Sequence, residues 1–383
     1  MKIVFISNFI NHHQVHLADE FYKIIGEGYK FIETEPMPES FIKNGYPDYS
    51  ARAYVVKAYS SSKMHEYAIK CAYEADVAVI GSAPEYFITK RIQETKLTFR
   101  YNERWFRNKP WFLTGPRGWI NFWKNHIRHR NKPLYMLCAS AFTAKDVNAI
   151  GAYKNKCFKW GYFTKVDDLE IDELRARHSL SRREVRIMWC ARFIDLKHPE
   201  LPVKLAARLK EKGYNFVINM FGSGEKLEHT KLLAKHLNVK DCVVFRGNRP
   251  NELILEEMRN HDIFLFTSDK NEGWGAVLNE AMSNGCVAVG SNQIGSVPFL
   301  IEDDINGCIF KSEDLDSLYT KVAYLIDNPV LRCQMAIKAY ETMKYTWSPQ
   351  NAAKQFLNLV SILNGCRDVD MIDFGPCSKA III

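Results

Sequence analysis

The chain has 383 residues, 47% of them apolar and 25% charged, with a net charge of +8. That length is too great for one ordinary core and suits two domains, each able to bury a core unaided. No apolar run approaches the length of a membrane span, and the balance of residues argues against a disordered or fibrous protein.

The opening, MKIVFISNFINHH, reads as a buried strand over Lys2–Ser7 followed by an amphipathic helix over His13–Ile25. Nothing after it resembles a signal-peptide cleavage site. Further strands are predicted at Tyr29–Thr34, Tyr54–Tyr59, Val77–Gly81, Leu97–Tyr101 and Leu134–Cys138. Helices at Ser62–Ala75, Glu85–Glu94 and Thr143–Ile150 alternate with them. Such alternation predicts a parallel sheet with helices on both faces. Between Arg100 and Lys132 lie nine Lys/Arg, one acid (Glu103) and seven Trp/Phe residues. Trp119, Phe122, Trp123 and Ile127 recur at helical spacing, a pattern that suits either the headgroup boundary of an anionic bilayer or ordinary packing on the domain. No nucleic-acid motif accompanies it. A charged stretch, Asp167–His178, leads through Ser181-Arg182-Arg183 to a new strand, Val185–Ala191, and the domain boundary is placed there.

The second half repeats the alternation: helix 200–212, strand 215–221, helix 225–237, strand 242–246 and helix 251–260. Helices near Ser317–Ile326, Asn328–Met343 and Gln350–Leu363 follow later, and 365–383 have no clear pattern. The ten cysteines are scattered without a C-x-x-C pair, which predicts reduced core thiols of a cytosolic protein and not a disulfide framework or zinc site. His12 and His16 stand four apart but have no evident third ligand, so no metal site is expected.

The chemistry concentrates in DIFLFTSDKNEGWGAVLNEAMSNGCVAVG, residues 262–290. Ile263–Phe266 reads as a buried strand, the helix runs from about Ala276 to Met282 and stops at Asn284-Gly285, and Cys286–Val289 is the next strand. Glu272 precedes the helix and Glu280 lies inside it. Gly273 and Gly275 let backbone approach a ligand, and carboxylates on either side of a phosphate suit the hydroxyls of a ribose and a hexose. Arg192 and Lys197, in ARFIDLK just after strand 185–191, supply a planar fork and a point charge for a diphosphate.

These residues resemble the retaining glycosyltransferases of GT-B fold, family 4, bacterial polysaccharide or glycolipid type. Their E-x-F/W-G-x-x-x-x-E signature stands here as EGWGAVLNE, Glu272 to Glu280. Their G-R-L-x-x-x-K is matched by Arg192 and Lys197, with Ala191 in place of the glycine. Gly247 and Asn248 resemble an F-x-G loop, Gly295 a loop beyond the donor site, residues 302–307 a D-x-N-G turn, and Thr346-Trp347-Ser348 an F-S-W. The resemblance implies two Rossmann-like, doubly wound parallel-sheet domains with a deep cleft between them. An acceptor domain is expected over 1–180, a nucleotide-sugar domain over 181–345, a helix over 346–364 crossing back to the first domain, and a tail over 365–383.

It further implies transfer of a sugar from a UDP- or GDP-linked donor to a hydroxyl of a glycan or lipid-linked acceptor, with no cofactor and no metal. Glu272, Arg192, Lys197 and Glu103 are the expected catalytic residues. Glu280, Gly273, Trp274, Gly275, Ala276, Gly222, Gly247 and Asn248 would bind donor. Asn11, His12 and His13, where relatives carry a Gly-Gly turn, would meet acceptor. Glu103 falls where relatives place a histidine near the reacting sugar. The expected location is cytoplasmic or peripheral on the inner membrane face. A same-fold epimerase or hydrolase, or a catalytically silent GT-B module binding sugar nucleotide or membrane, is the alternative.

Overall fold

The computed structural model describes residues 1–43, 46–107, 115–178, 184–366 and 370–383. The chain divides into two compact units, residues 1–165 with 348–383, and residues 166–347.

The first unit is built on seven parallel strands: β1 (Ile3–Ser7), β2 (Tyr29–Glu33), β3 (Val55–Lys57), β4 (Val77–Ile80), β5 (Thr98–Asn102), β6 (Leu134–Cys138) and β7 (Cys157–Lys159). Their order is β3-β2-β1-β4-β5-β6-β7. The near-continuous apolar runs IVFIS and VAVI are what a strand buried on both faces requires. Winding proceeds outward from β1 in one direction and from β4 in the other, so the topological switch point lies between β1 and β4.

Helix Pro349–Leu363 belongs to this unit. Ser348 caps it by accepting from Asn351 N, and Pro349 occupies its first turn, where a missing N–H costs nothing. Its Phe356 is fully buried, with ring centroids 5.8 Å from Phe5, 5.1 Å from Phe99 and 5.7 Å from Trp160. The terminal stretch, patternless in sequence, lies along β7: Lys159 N donates to Ser378 O (2.7 Å), and Cys377 N to Lys159 O (2.8 Å). Backbone pairing of this kind covers a sheet edge without any side-chain period to announce it.

The second unit has six parallel strands: β8 (Val185–Cys190), β9 (Phe216–Phe221), β10 (Val243–Gly247), β11 (Ile263–Phe266), β12 (Val287–Ser291) and β13 (Gly307–Phe310). Their order is β10-β9-β8-β11-β12-β13, with the switch point between β8 and β11.

Both expected boundaries move. The second unit starts at Val166 instead of 181, because helix Ile171–Arg177 sets the buried Leu174 into that unit's core. Arg177 then donates to Asn284 O (2.7 Å) and Arg259 pairs with Asp167 (2.8 Å). The expected link, Ser181-Arg182-Arg183, lies outside the described residues. At the other end the unit runs past 345 to Trp347, which is buried against Trp274 and Phe299 (5.9 and 6.1 Å between centroids).

Candidate functional site

In the second unit, β8 and β11 are neighbours whose carboxyl ends deliver two loops to the switch point. Open α/β sheets bind ligands at such a place, because diverging connections leave a crevice there. After β8 the chain turns through Ala191–Phe193 into a single 3-10 turn, Asp195–Lys197. That turn is tied to β11 by Thr267, whose hydroxyl donates to Lys197 O (2.6 Å) and accepts from Trp189 Nε1 (2.8 Å). The Lys197 ammonium pairs with Glu272, and both side chains are largely buried, 13% and 14% exposed. Glu272 is set by its own N–H bonding to Asp269 O (3.1 Å).

Glu280 lies on helix Val277–Ser283 and is partly buried. Burial pushes its carboxyl up to about 7, opposed by a hydrogen bond with Asn251. The Cys190 thiol, at the end of β8, is pushed up to about 12 by burial and by the charge of Glu280, with Lys197 acting the other way. The structure therefore gathers Lys197, Glu272, Glu280 and Cys190 at the carboxyl end of β8 and β11. Arg192 and Asn248 are exposed on neighbouring loops, and Gly247 accepts from Gly222 N (2.9 Å).

Three glycine and aromatic positions serve packing in ways the sequence did not indicate. Trp274 is fully buried; its Nε1 donates to Asn279 Oδ1 (2.8 Å) and its ring lies on Trp347 and Phe299, so the side chain offers no surface to a donor. Gly275 has φ +78, and a Cβ there would stand 2.2 Å from Phe266 Cζ. Gly222 has φ +125, and a Cβ there would meet Ala191 O at 2.0 Å, so this glycine lets the loops after β8 and β9 touch. Gly273 and Ala276 are buried between these points. Cys190, Thr267 and Asn251 escaped the sequence reading, since none belongs to the recognised motif.

In the first unit, a cavity of about 410 Å³ opens beyond the ends of β1, β4 and β5. Asn11, His13 and Glu103 all line it; His12 does not, and stacks instead on Tyr46 (4.8 Å, 25°). Asn11 Oδ1 accepts from His13 N (2.9 Å), a local turn that swings the His13 ring onto Tyr162 (5.1 Å, 6°). Glu103 pairs with Arg107 and accepts from Tyr162 Oη (2.8 Å). Burial, then the neighbouring imidazoles, depresses His12 to about 4 and His13 to about 3, so both rings are neutral at physiological pH.

A larger open groove of about 1230 Å³ adjoins it, sharing Asn102, Arg104 and Trp105 as wall. Arg100, one of the nine cations counted above, is buried in this groove's floor. It makes a bidentate pair with Glu85 (2.5 and 2.7 Å) and donates to Asn125 O (2.9 Å). Helix Pro116–Asn125 also splits the expected aromatic stripe. Phe122 turns inward onto Trp105 (5.3 Å), whereas Trp119 and Trp123 are 50% and 57% exposed. Trp111 and Phe112 lie outside the described residues. Among the described residues, the potential metal-ligand group is Asp303, Asp304 and Cys308, but Lys321 occupies both carboxylates at 2.9–3.0 Å.

Residues 170–342, which fall within the second unit, match the model of the family "Glycosyl transferases group 1". The amylovoran biosynthesis glycosyltransferase AmsK of Erwinia amylovora is 29% identical over 150 residues, 38% of this chain and 36% of that protein. A GDP-mannose-dependent alpha-(1-6)-phosphatidylinositol monomannoside mannosyltransferase of Mycolicibacterium smegmatis is 24% identical over 203 residues, 51% of each chain. The chain thus spans about a third to a half of the length of these curated relatives. Among solved structures, Anabaena Alr3699/HepE in complex with UDP superposes with a TM-score of 0.66 at 13% identity, covering 94% of this chain and 100% of that one. These likenesses show the fold: two Rossmann-like parallel-sheet units of GT-B type.

Proposed function

We propose that the chain is a retaining glycosyltransferase. It moves a sugar from a nucleoside-diphosphate sugar, UDP- or GDP-linked, to a hydroxyl of a glycan or lipid-linked acceptor in cell-surface polysaccharide or glycolipid synthesis. The observation that carries this reading is the juxtaposition of Lys197, Glu272 and Glu280 at the β8/β11 switch point of a Glycosyl transferases group 1 domain. The names of the relatives, which act in polysaccharide and glycolipid synthesis, support the substrate class.

In this reading Lys197 and Arg192 neutralise the departing diphosphate as the bond from the anomeric carbon to phosphate oxygen breaks, an electrostatic contribution. Glu272, which pairs with Lys197, accepts from the donor sugar's hydroxyls. Glu280 accepts from the ribose. The leaving phosphate takes the acceptor's proton, so no separate general base is needed and protein cations stand where a divalent metal would. The acceptor lies in the first unit's cavity, with Asn11 and His13 in the wall and Glu103 as the group nearest in role to the family's histidine. The exposed Trp119 and Trp123, beside Arg117 and Lys124, favour peripheral contact with an anionic membrane carrying that acceptor.

The test is a calorimetric screen of UDP-glucose, UDP-N-acetylglucosamine and GDP-mannose, then transfer of the labelled donor sugar to membrane extracts with and without EDTA. Binding of one donor, transfer that persists in EDTA, and about thirtyfold weaker binding in Lys197→Ala are expected, from loss of one charge-assisted contact. Absence of binding by any donor, or sugar release without an acceptor product, overturns the assignment.

A further inference from the structure

Arg104 stands in the wall shared by the two cavities just described in the first unit. Its side chain is only 13% exposed, yet its nearest carboxylate, Asp146, lies 3.8 Å from Nε, beyond hydrogen-bond reach. Asp146 Oδ2 is already engaged by the backbone N–H groups of Trp105 (2.8 Å) and Phe106 (3.0 Å). Arg104 Nε and Nη1 are buried and make no hydrogen bond. What fixes the guanidinium is the ring of Phe142, 4.7 Å from Cζ, a contact that orients the group but satisfies none of its donors. A desolvated guanidinium with open donors is costly, and it is retained where an anion completes it.

The surroundings agree. In the smaller cavity Glu103 is taken by Arg107 and by the Tyr162 hydroxyl, so it does not offset Arg104. In the larger groove Glu85 is bound by Arg100 on both oxygens, and among the described lining residues no other acid stands beside Arg104 and Arg117, so the one carboxylate paired with Arg104 is Asp146 at 3.8 Å. His13 Nδ1 and Gln14 Oε1, on residues lining the smaller cavity, are likewise buried without a partner. The lining of the smaller cavity therefore carries a guanidinium, a neutral imidazole nitrogen and an amide oxygen whose hydrogen-bonding capacity is unmet.

We propose that Arg104 forms an anion subsite that recognises a carboxylate or phosphate on the sugar acceptor, so that the acceptor class is an acidic glycan or a phosphorylated one. The proposal rests on the reading of the chain as a glycosyltransferase with its acceptor in the first unit, and its test is arranged to separate the two. Wild type, Arg104→Gln and Arg104→Lys are titrated with methyl β-glucuronide, glucose 1-phosphate and neutral methyl β-glucoside, and in parallel with UDP-glucose and GDP-mannose.

Wild type is expected to bind at least one charged sugar about tenfold or more tightly than the neutral glycoside, the range of a charge-assisted bidentate contact. Arg104→Gln erases that preference and Arg104→Lys retains part of it, because the charge survives and the fork does not. Which charged probe binds identifies the anion as carboxylate or phosphate. Equal binding of charged and neutral sugars by wild type, or a preference that persists in Arg104→Gln, overturns the subsite. The wild-type comparison stands even if a variant fails to fold. Loss of the nucleotide arms in wild type, with the anion preference intact, would instead count against the donor reading.

Discussion

Glu280 is where the donor reading meets measurement most directly. Its carboxyl is raised by burial from an ordinary 4.5 to about 7. A group raised in this way contributes stability that is fully present below 4.5 and is lost as pH rises through about 7. Ribose hydroxyls donating to Glu280 favour the ionised form and reverse that loss, so binding must expel a proton wherever the empty site holds one. If the bound carboxyl returns to its ordinary value, about 0.9 proton is released per ligand near pH 6 and about 0.1 near pH 8, with roughly tenfold weaker binding at the lower pH.

Calorimetry of the bound nucleotide sugar in two buffers of different ionisation enthalpy reads the proton count. The donor diphosphate, esterified at both ends, does not titrate in this range. His198 is raised by its hydrogen bond to Glu200, and Cys190 stays protonated throughout. Glu280→Gln isolates the carboxyl: it should bind with flat pH dependence and no release. Release of the same size from Glu280→Gln, or none from wild type near pH 6, refutes the reasoning.

Gly275→Ala should cost about 3 kcal/mol, combining ~1–2 for a side chain at positive φ with ~1–3 for forcing the Phe266 ring aside. In a unit of this size that lowers Tm by roughly 6–12 °C, and Phe266→Leu in the same chain should recover part of the loss; equal cost in both backgrounds would show that the ring contact is not responsible. Liposome flotation checks the membrane reading. Lys124, Arg128 and Arg130 changed to Gln should remove a salt-sensitive part of about 1 kcal/mol per cation on anionic vesicles. Trp119→Ser with Trp123→Ser should remove the salt-resistant part, and unchanged flotation in both would make this helix an ordinary solvated face.

The alternation of strands and helices was legible because strands buried on both faces demand unbroken apolar runs such as IFLF and VAVI, a local property of the chain. The Glu272–Glu280 spacing and the cations after an earlier strand were likewise local in the chain, and the fold pairs Lys197 with Glu272 while leaving Arg192 exposed. What local pattern cannot carry is which neighbour an atom meets. Trp274 reads the same from sequence whether its ring faces a donor or Trp347, and only packing decides that it is core. Helix Ile171–Arg177 reads as a charged linker until Leu174 finds the second unit's sheet, which moves the boundary. Arg100 and Arg104 sit four residues apart in one basic stretch. Burial gives the first a bidentate partner from Glu85, while the second stands 3.8 Å from Asp146 Oδ2, an oxygen already engaged by two backbone N–H groups. Charge is written in the sequence, but whether it is spent or available depends on partners brought together from distant segments, and that is decided by the fold.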